Sequence, residues 1–120
     1  MQSADLDEGV QKRVGLNQIL THGGPLCGAG LGGLTRDLAQ QWTGRKGIRV
    51  NALAPGYFAS EMTADLFTDE RLHAWATRQT PMRRTGREGE LDGALLYLAS
   101  DASSFVTGSV LAVDGGWTAV

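Results

Sequence analysis

Three stretches of this 120-residue sequence bring together residue types that could do chemistry. The first is "HGGPLCGAGLGGLTR" at 22–36, with glycine at positions 23, 24, 28, 30, 32 and 33. Gly28-x-Gly30-x-x-Gly33 formally has the spacing of a phosphate-cradling loop, in which missing side chains let backbone amides close on a pyrophosphate. Such a loop follows an apolar strand, and none precedes Gly28, so chance and helix packing account for the match. The second is Cys27, which would need a histidine to act as a nucleophile. His22 and His73 are available but neither stands in a signature context, and an inert small side chain is the simpler reading. The third is "APGYFAS" at 54–60, where Pro55-Gly56 turns the chain and Tyr57 offers a phenol that could donate a proton.

The elements that must position these residues sharpen from Ala29 onward. Leu31, Leu34, Leu38 and Trp42 recur at helical spacing, and Gly44 supplies a stop. "GIRVNALAPG" alternates, with Ile48, Val50 and Ala52 on one face and Arg49, Asn51 and Leu53 on the other, which predicts a strand over 48–53 ended by Pro55-Gly56. Ser60 can cap a short helix carrying Met62 and Leu66. Thr68 opens a second helix carrying Leu72, Trp75 and Ala76, which Pro81 closes. Leu91, Ala94, Leu95, Leu98 and Ala99 make the cleanest helical stripe. The apolar run "VLAV" before Asp114-Gly115-Gly116 reads as a short buried strand. Ahead of Ala29, Val10, Val14 and Ile19 give only a weak helical stripe broken by Gly9 and Gly15, so residues 1–28 read as a poor helix and then loop.

Two strands with so much helix between them cannot form a tight hairpin, and a parallel pair joined by a right-handed crossover is expected. Parallel sheets are covered on both faces and have more than two strands. The expectation is therefore one incomplete α/β unit, in which the 48–53 strand lacks an obvious second neighbour.

Composition bounds the rest. The chain is 42% hydrophobic and 20% charged with a net charge of −2, which carries no nucleic-acid or membrane bias. Its basic pairs, Arg45-Lys46 and Arg83-Arg84, are solvated ends rather than a patch. A single cysteine excludes an intrachain disulfide and a multi-cysteine metal site. With no membrane-length apolar run and no leader pattern, a cytoplasmic location is expected.

From Ala29 to Trp117 the chain resembles the C-terminal portion of a short-chain dehydrogenase/reductase. The likeness rests on "GLTRDLAQQW" (33–42), "GIRVNALAPGYFASEMT" (47–63), "PMRRTG" (81–86), "LLYLASDASSFVTG" (95–108) and "VLAVDGGW" (110–117), in the family's order and spacing. The similar branch includes 3-oxoacyl carrier-protein reductases and gluconate dehydrogenases. The resemblance implies the C-terminal part of a Rossmann-like doubly wound parallel sheet over residues 29–120, with ligand at the carboxyl ends of the strands. It implies NAD or NADP as cofactor, with Pro55, Gly56, Tyr57, Phe58 and Ser60 in the loop that faces the nicotinamide. Phe58 would present backbone groups to the carboxamide, and Ser60 a hydroxyl to the carboxamide or pyrophosphate. Segment 59–80 corresponds to the family's substrate lid.

The family's proton donor is a tyrosine, followed four residues later by a lysine whose charge favours the phenolate. An ungapped alignment puts Gly24 and Gly28 at those positions; deleting two residues substitutes Leu26 and Gly28. No Tyr-x-x-x-Lys occurs in the chain, and Tyr57 is followed by Glu61 at the lysine's spacing. The sequence thus reads as a truncated or frame-disrupted member acting, by family, on an alcohol or carbonyl, but inactive and without cofactor binding alone. The alternative is a non-catalytic association module that pairs with itself or with full-length relatives, with neither nucleic acid nor membrane as partner. The substrate and the choice between NAD and NADP are not encoded in these residues.

Overall fold

The computed structural model describes residues 17–19 and 25–119. In chain order these form strand β1 (Asn17–Ile19), helix α1 (Pro25–Lys46), strand β2 (Asn51–Pro55), helices α2 (Ala64–Thr68), α3 (Glu70–Gln79) and α4 (Asp92–Ala99), and strand β3 (Val110–Val113). Single 3-10 turns sit at Glu61–Thr63, Asp101–Ser103 and Trp117–Ala119. The sheet runs β1-β2-β3 and is parallel throughout, with Ala52 opposite both Gln18 and Val110, and Leu53 opposite both Ile19 and Leu111.

The order therefore differs from expectation at its start. Ile19, expected on a weak helix, belongs to a strand, and that strand is the second neighbour that β2 seemed to lack. Nothing in Asn17-Gln18-Ile19 announces this, because its partner lies across a whole crossover helix. The crossover itself begins at Pro25, ahead of the expected boundary at Ala29, and carries Gly28, Gly30, Gly32 and Gly33 inside it. Pro25 at the first turn has no amide to waste there and a φ already suited to a helix. Each interior glycine costs about 1 kcal/mol relative to alanine, so tertiary packing must hold the turn together. At Gly32 a Cβ would stand 3.6 Å from the Val110 side chain, so the helix lies close over β3.

Helix α1 ends with Arg45 and Lys46 in its last turn, where cations suit the negative end of the dipole. Lys46 also stands 5.0 Å over the Trp42 ring. Gly47, at φ 66°, then turns the chain with its amide on the Thr43 carbonyl. Helix α3 begins where the Asp69 carboxylate accepts from the Arg71 and Leu72 amides.

Among the described residues the buried apolar ones are Ala39, Val50, Ala52, Leu53, Ala76 and Leu98, with Leu53 and Leu98 the largest fully enclosed. Both faces of the segment leading into β2 are buried, since Arg49 and Asn51 are enclosed along with Val50 and Ala52. This is how a central parallel strand behaves, and it is why alternation alone did not identify a solvent face. Arg49 donates to Ser103 Oγ at 2.9 Å and to the carbonyls of Leu98 (2.9 Å), Ser100 (3.3 Å) and Val106 (3.2 Å). The Asn51 amide nitrogen donates to the Val106 carbonyl at 3.0 Å, and its oxygen accepts from the Ser109 amide at 3.1 Å. Together these side chains fasten the exit of α4 and the turn into β3 onto the entry of β2.

Candidate functional site

The carboxyl ends of β2 and β3 emerge side by side, and the loops they release build the candidate site. Pro55, the last residue of β2, pairs with Val113. The Gly56 amide donates to the Val113 carbonyl at 2.9 Å. Gly56 is required by proximity: a Cβ there would lie 2.6 Å from Asp114 Cα and 2.9 Å from its Cβ, a contact that only backbone movement could relieve. The Tyr57 carbonyl accepts from the Gly86 amide at 2.8 Å, and a Cβ on Gly86 would collide with the Phe58 ring. The Phe58 ring thus lies directly against Gly86.

Thr63 organises the loop beyond Phe58. Its hydroxyl donates to the Phe58 carbonyl at 2.5 Å and accepts from the Ser60 amide at 2.9 Å. The Ser60 hydroxyl lies 3.0 Å from the same oxygen. Since Thr63 spends its one proton on Phe58, Ser60 is the donor in that pair. The sequence had singled out Ser60 and passed over Thr63; an oxygen three residues after a capping serine was the available signal. Of the five expected loop residues, Pro55, Gly56, Tyr57 and Phe58 lie together at the carboxyl end of the central strand β2, while Ser60 is exposed beside Thr63.

Tyr57 points into an aromatic cluster. Its ring meets Trp117 edge-on at a centroid distance of 4.9 Å and Trp75 at 6.3 Å, and the two tryptophans are 5.8 Å apart. Burial raises the Tyr57 phenol above its ordinary pKa, which is the wrong direction for a proton donor that must ionise near neutrality.

A cavity of about 250 Å³ opens between these loops, lined by Tyr57, Phe58, Thr80, Arg84, Asp114 and their neighbours. One wall is an ion pair in which both guanidinium nitrogens of Arg84 reach the Glu90 carboxylate at 2.7 Å. The Arg87 amide adds a third bond at 2.7 Å. The Arg84 hydrogen bonds, followed by that of the Arg87 amide, hold the Glu90 carboxyl down at about 2. Another wall is Asp114. Partial burial works to raise its pKa, but the Thr118 hydroxyl and amide and the Gly116 amide outweigh it and leave the carboxyl below its ordinary value. Among the described residues no cluster of histidine, cysteine and carboxylate side chains could hold a metal ion, and no helix is long and apolar enough to cross a membrane. Gly24, one of the aligned positions for the missing donor, and the side chains of Leu26, Cys27 and Gly28 lie outside what is described.

What the loop can do chemically follows from its free groups. The Phe58 amide has no acceptor among the described residues, and the Phe58 carbonyl has a lone pair left beside Thr63. One donor and one acceptor at fixed positions suit a planar primary amide.

A family model described as enoyl-(acyl carrier protein) reductase matches residues 26–118. Gluconate 5-dehydrogenase of Gluconobacter oxydans is 53% identical over 85 residues, covering 71% of this chain and 33% of that protein. Galactitol 2-dehydrogenase (L-tagatose-forming) of Cereibacter sphaeroides is 54% identical over 85 residues, with the same two shares. Among solved structures, gluconate 5-dehydrogenase from Burkholderia cenocepacia in complex with NADP and tartrate superposes with a TM-score of 0.80 at 33% identity, over 96% of this chain and 49% of that one. The chain thus spans about a third of the curated relatives and about half of the solved structure. With a parallel Rossmann-type sheet and the matched blocks running from α1 to the last turn, the chain belongs to the short-chain dehydrogenase/reductase family.

Proposed function

We propose that this chain carries the nicotinamide-facing loop and the substrate-covering arm of an NAD(P)-dependent alcohol or carbonyl oxidoreductase, and that it does not transfer hydride by itself. The observation that carries the first half is the Phe58 backbone, whose amide and remaining carbonyl lone pair fit the carboxamide of a nicotinamide. Pro55 and Gly56 set the turn, Tyr57 and Phe58 fix its outer wall, and Ser60 anchors it through Thr63. Bound nicotinamide would supply the hydride; the loop's contribution is to orient the ring. The second half rests on the sequence: no Tyr-x-x-x-Lys is present to protonate the substrate oxygen. A missing general acid removes about 10²–10⁴-fold of rate. The polyol and sugar-acid dehydrogenases among its relatives make a polyhydroxylated acid or alcohol the substrate class to test first.

The test is direct. Purified chain is mixed with NADPH or NADH and a panel of keto-acids, ketoses and aldehydes, and absorbance is followed, while calorimetry measures dinucleotide binding. No turnover is expected, and dinucleotide binding is expected to be weak or absent. Turnover in that mixture overturns the reading.

The alternative, an association module, has its own support in exposed apolar side chains. Leu95, Leu96 and Tyr97 of α4, together with Phe105 and Val110, are each exposed rather than buried. Sedimentation distinguishes the two: a concentration-dependent dimer, weakened by Leu96→Glu, favours association, whereas a monomer at all concentrations counts against it.

A further inference from the structure

The arm formed by the 3-10 turn, α2 and α3 has little apolar anchorage of its own. Ala76 is its one buried apolar side chain among those described, while Leu72 and Trp75 remain 45% and 43% exposed. What meets it is the end of the chain. Gly115 and Gly116, at φ 64° and 92°, pass so close to the foot of the arm that a Cβ would lie 2.7 Å from Thr80 Cγ2 and 2.9 Å from Pro81 Cγ respectively. The Met82 amide donates to the Gly115 carbonyl at 3.1 Å, closing that junction. From there the chain turns back, and Trp117 meets Trp75 on the arm and Tyr57 on the loop.

That return is imposed by Asp114. One carboxylate oxygen accepts from the Gly116 amide at 2.9 Å; the other takes the Thr118 amide at 3.0 Å and the Thr118 hydroxyl at 2.7 Å. A carboxylate holding three donors over four residues fixes the turn in which Trp117 sits. The geometry points to a latch: the Asp114–Thr118 turn presents Trp117 to Trp75 and so pins the α3 arm over the carboxyl ends of β2 and β3. Tyr57 is the post on which both tryptophans bear. The cavity lies behind this latch, since Tyr57, Thr80, Asp114 and Gly115 all line it. Release of Trp117 would therefore free the arm and widen access to the cavity together. The inference concerns mobility and stands whether or not the chain transfers hydride.

Trypsin reads the latch, because Arg71 and Arg78 are exposed on the arm while Arg45 and Lys46 report separately on α1. Trp117→Ala is expected to speed cleavage at Arg71 and Arg78 about tenfold, with cleavage at Arg45 and Lys46 unchanged, as the loss of two edge-on ring contacts implies. Asp114→Asn, which cannot accept all three donors, is expected to give a smaller increase at the same two sites. Equal acceleration at all sites, or no change at the arm, overturns the latch. Should Trp117→Ala fail to fold, circular dichroism of the parent chain decides. The two indoles, 5.8 Å apart and inclined at 66°, must give an exciton couplet that Trp75→Phe and Trp117→Phe each abolish and Trp42→Phe leaves intact. A parent spectrum without the couplet overturns the proposal as well.

Discussion

The two ends of strand β2 are built on opposite principles. At its entry, the Arg49 and Asn51 side chains are buried among carbonyls, a hydroxyl and an amide, and their hydrogen bonds run to the end of α4 and the α4–β3 connection. At its exit, Tyr57 stands in a ring cluster with partly exposed indoles, and the arm above it is held by edge-on contacts that have many near-equivalent geometries. A hydrogen-bonded clamp has one arrangement and a steep penalty for leaving it, whereas an aromatic contact can slide and re-form. One strand therefore divides the molecule into a root that specifies the fold and a tip that can move.

The contrast can be broken most severely in the core that both ends share. Leu53→Ala removes a fully enclosed side chain from the middle of the sheet and is expected to cost about 3–4 kcal/mol, measured by urea unfolding. Because domains of this size are stable by only about 5–15 kcal/mol, that loss is a large share of the total and should lower the urea midpoint markedly. Arg49→Ala comes next, at about 2–3 kcal/mol, since it removes charge-assisted bonds to Leu98, Ser100, Ser103 and Val106. Its loss should appear as a lowered melting temperature of the whole chain. Asp69→Ala at the head of α3 is expected to cost about 1 kcal/mol and to show chiefly as faster amide exchange within the arm, with little change at α1.

The smallest effect expected is the acid titration of Glu90. Its folded pKa of about 2 lies below the ordinary 4.5, so the Arg84 pair contributes fully above pH 4.5 and is lost as pH falls toward 2. Urea midpoints of the parent chain and Glu90→Gln should converge across that window, and a gap that stays constant would refute the assignment. Asp114 titrates in the same direction, so only the difference between parent and variant isolates Glu90.

Much of the root was legible in sequence and much of the tip was not. The stripe of α4 and the alternation of β2 are periodic signals, and they were read to within a few residues of Asp92–Ala99 and Asn51–Pro55. The order of the family-like blocks singled out the loop from Pro55 to Ser60, and the structure puts that loop at the carboxyl end of β2. What escaped depends on partners far away in the chain. Asn17–Ile19 is a strand only because β2 offers it an edge, and α1 runs through its glycines because the sheet beneath supports it. Arg49 and Asn51 sit on the polar side of an alternating pattern, yet both are enclosed because a central parallel strand has no solvent side. Trp117 had no assigned role, since its meeting with Trp75 joins the Asp114–Thr118 turn to an arm far earlier in the chain.

The length of the rims carries a last consequence. Among the described residues the sheet is bounded by β1, three residues long, and β3, four residues long. Unpaired strand margins invite stray chains to add on, and long flat ones seed fibrils. Margins this brief give an incoming strand only a bond or two to grip, so concentrated preparations should clump through greasy side chains such as Phe105 before they ever form ordered amyloid.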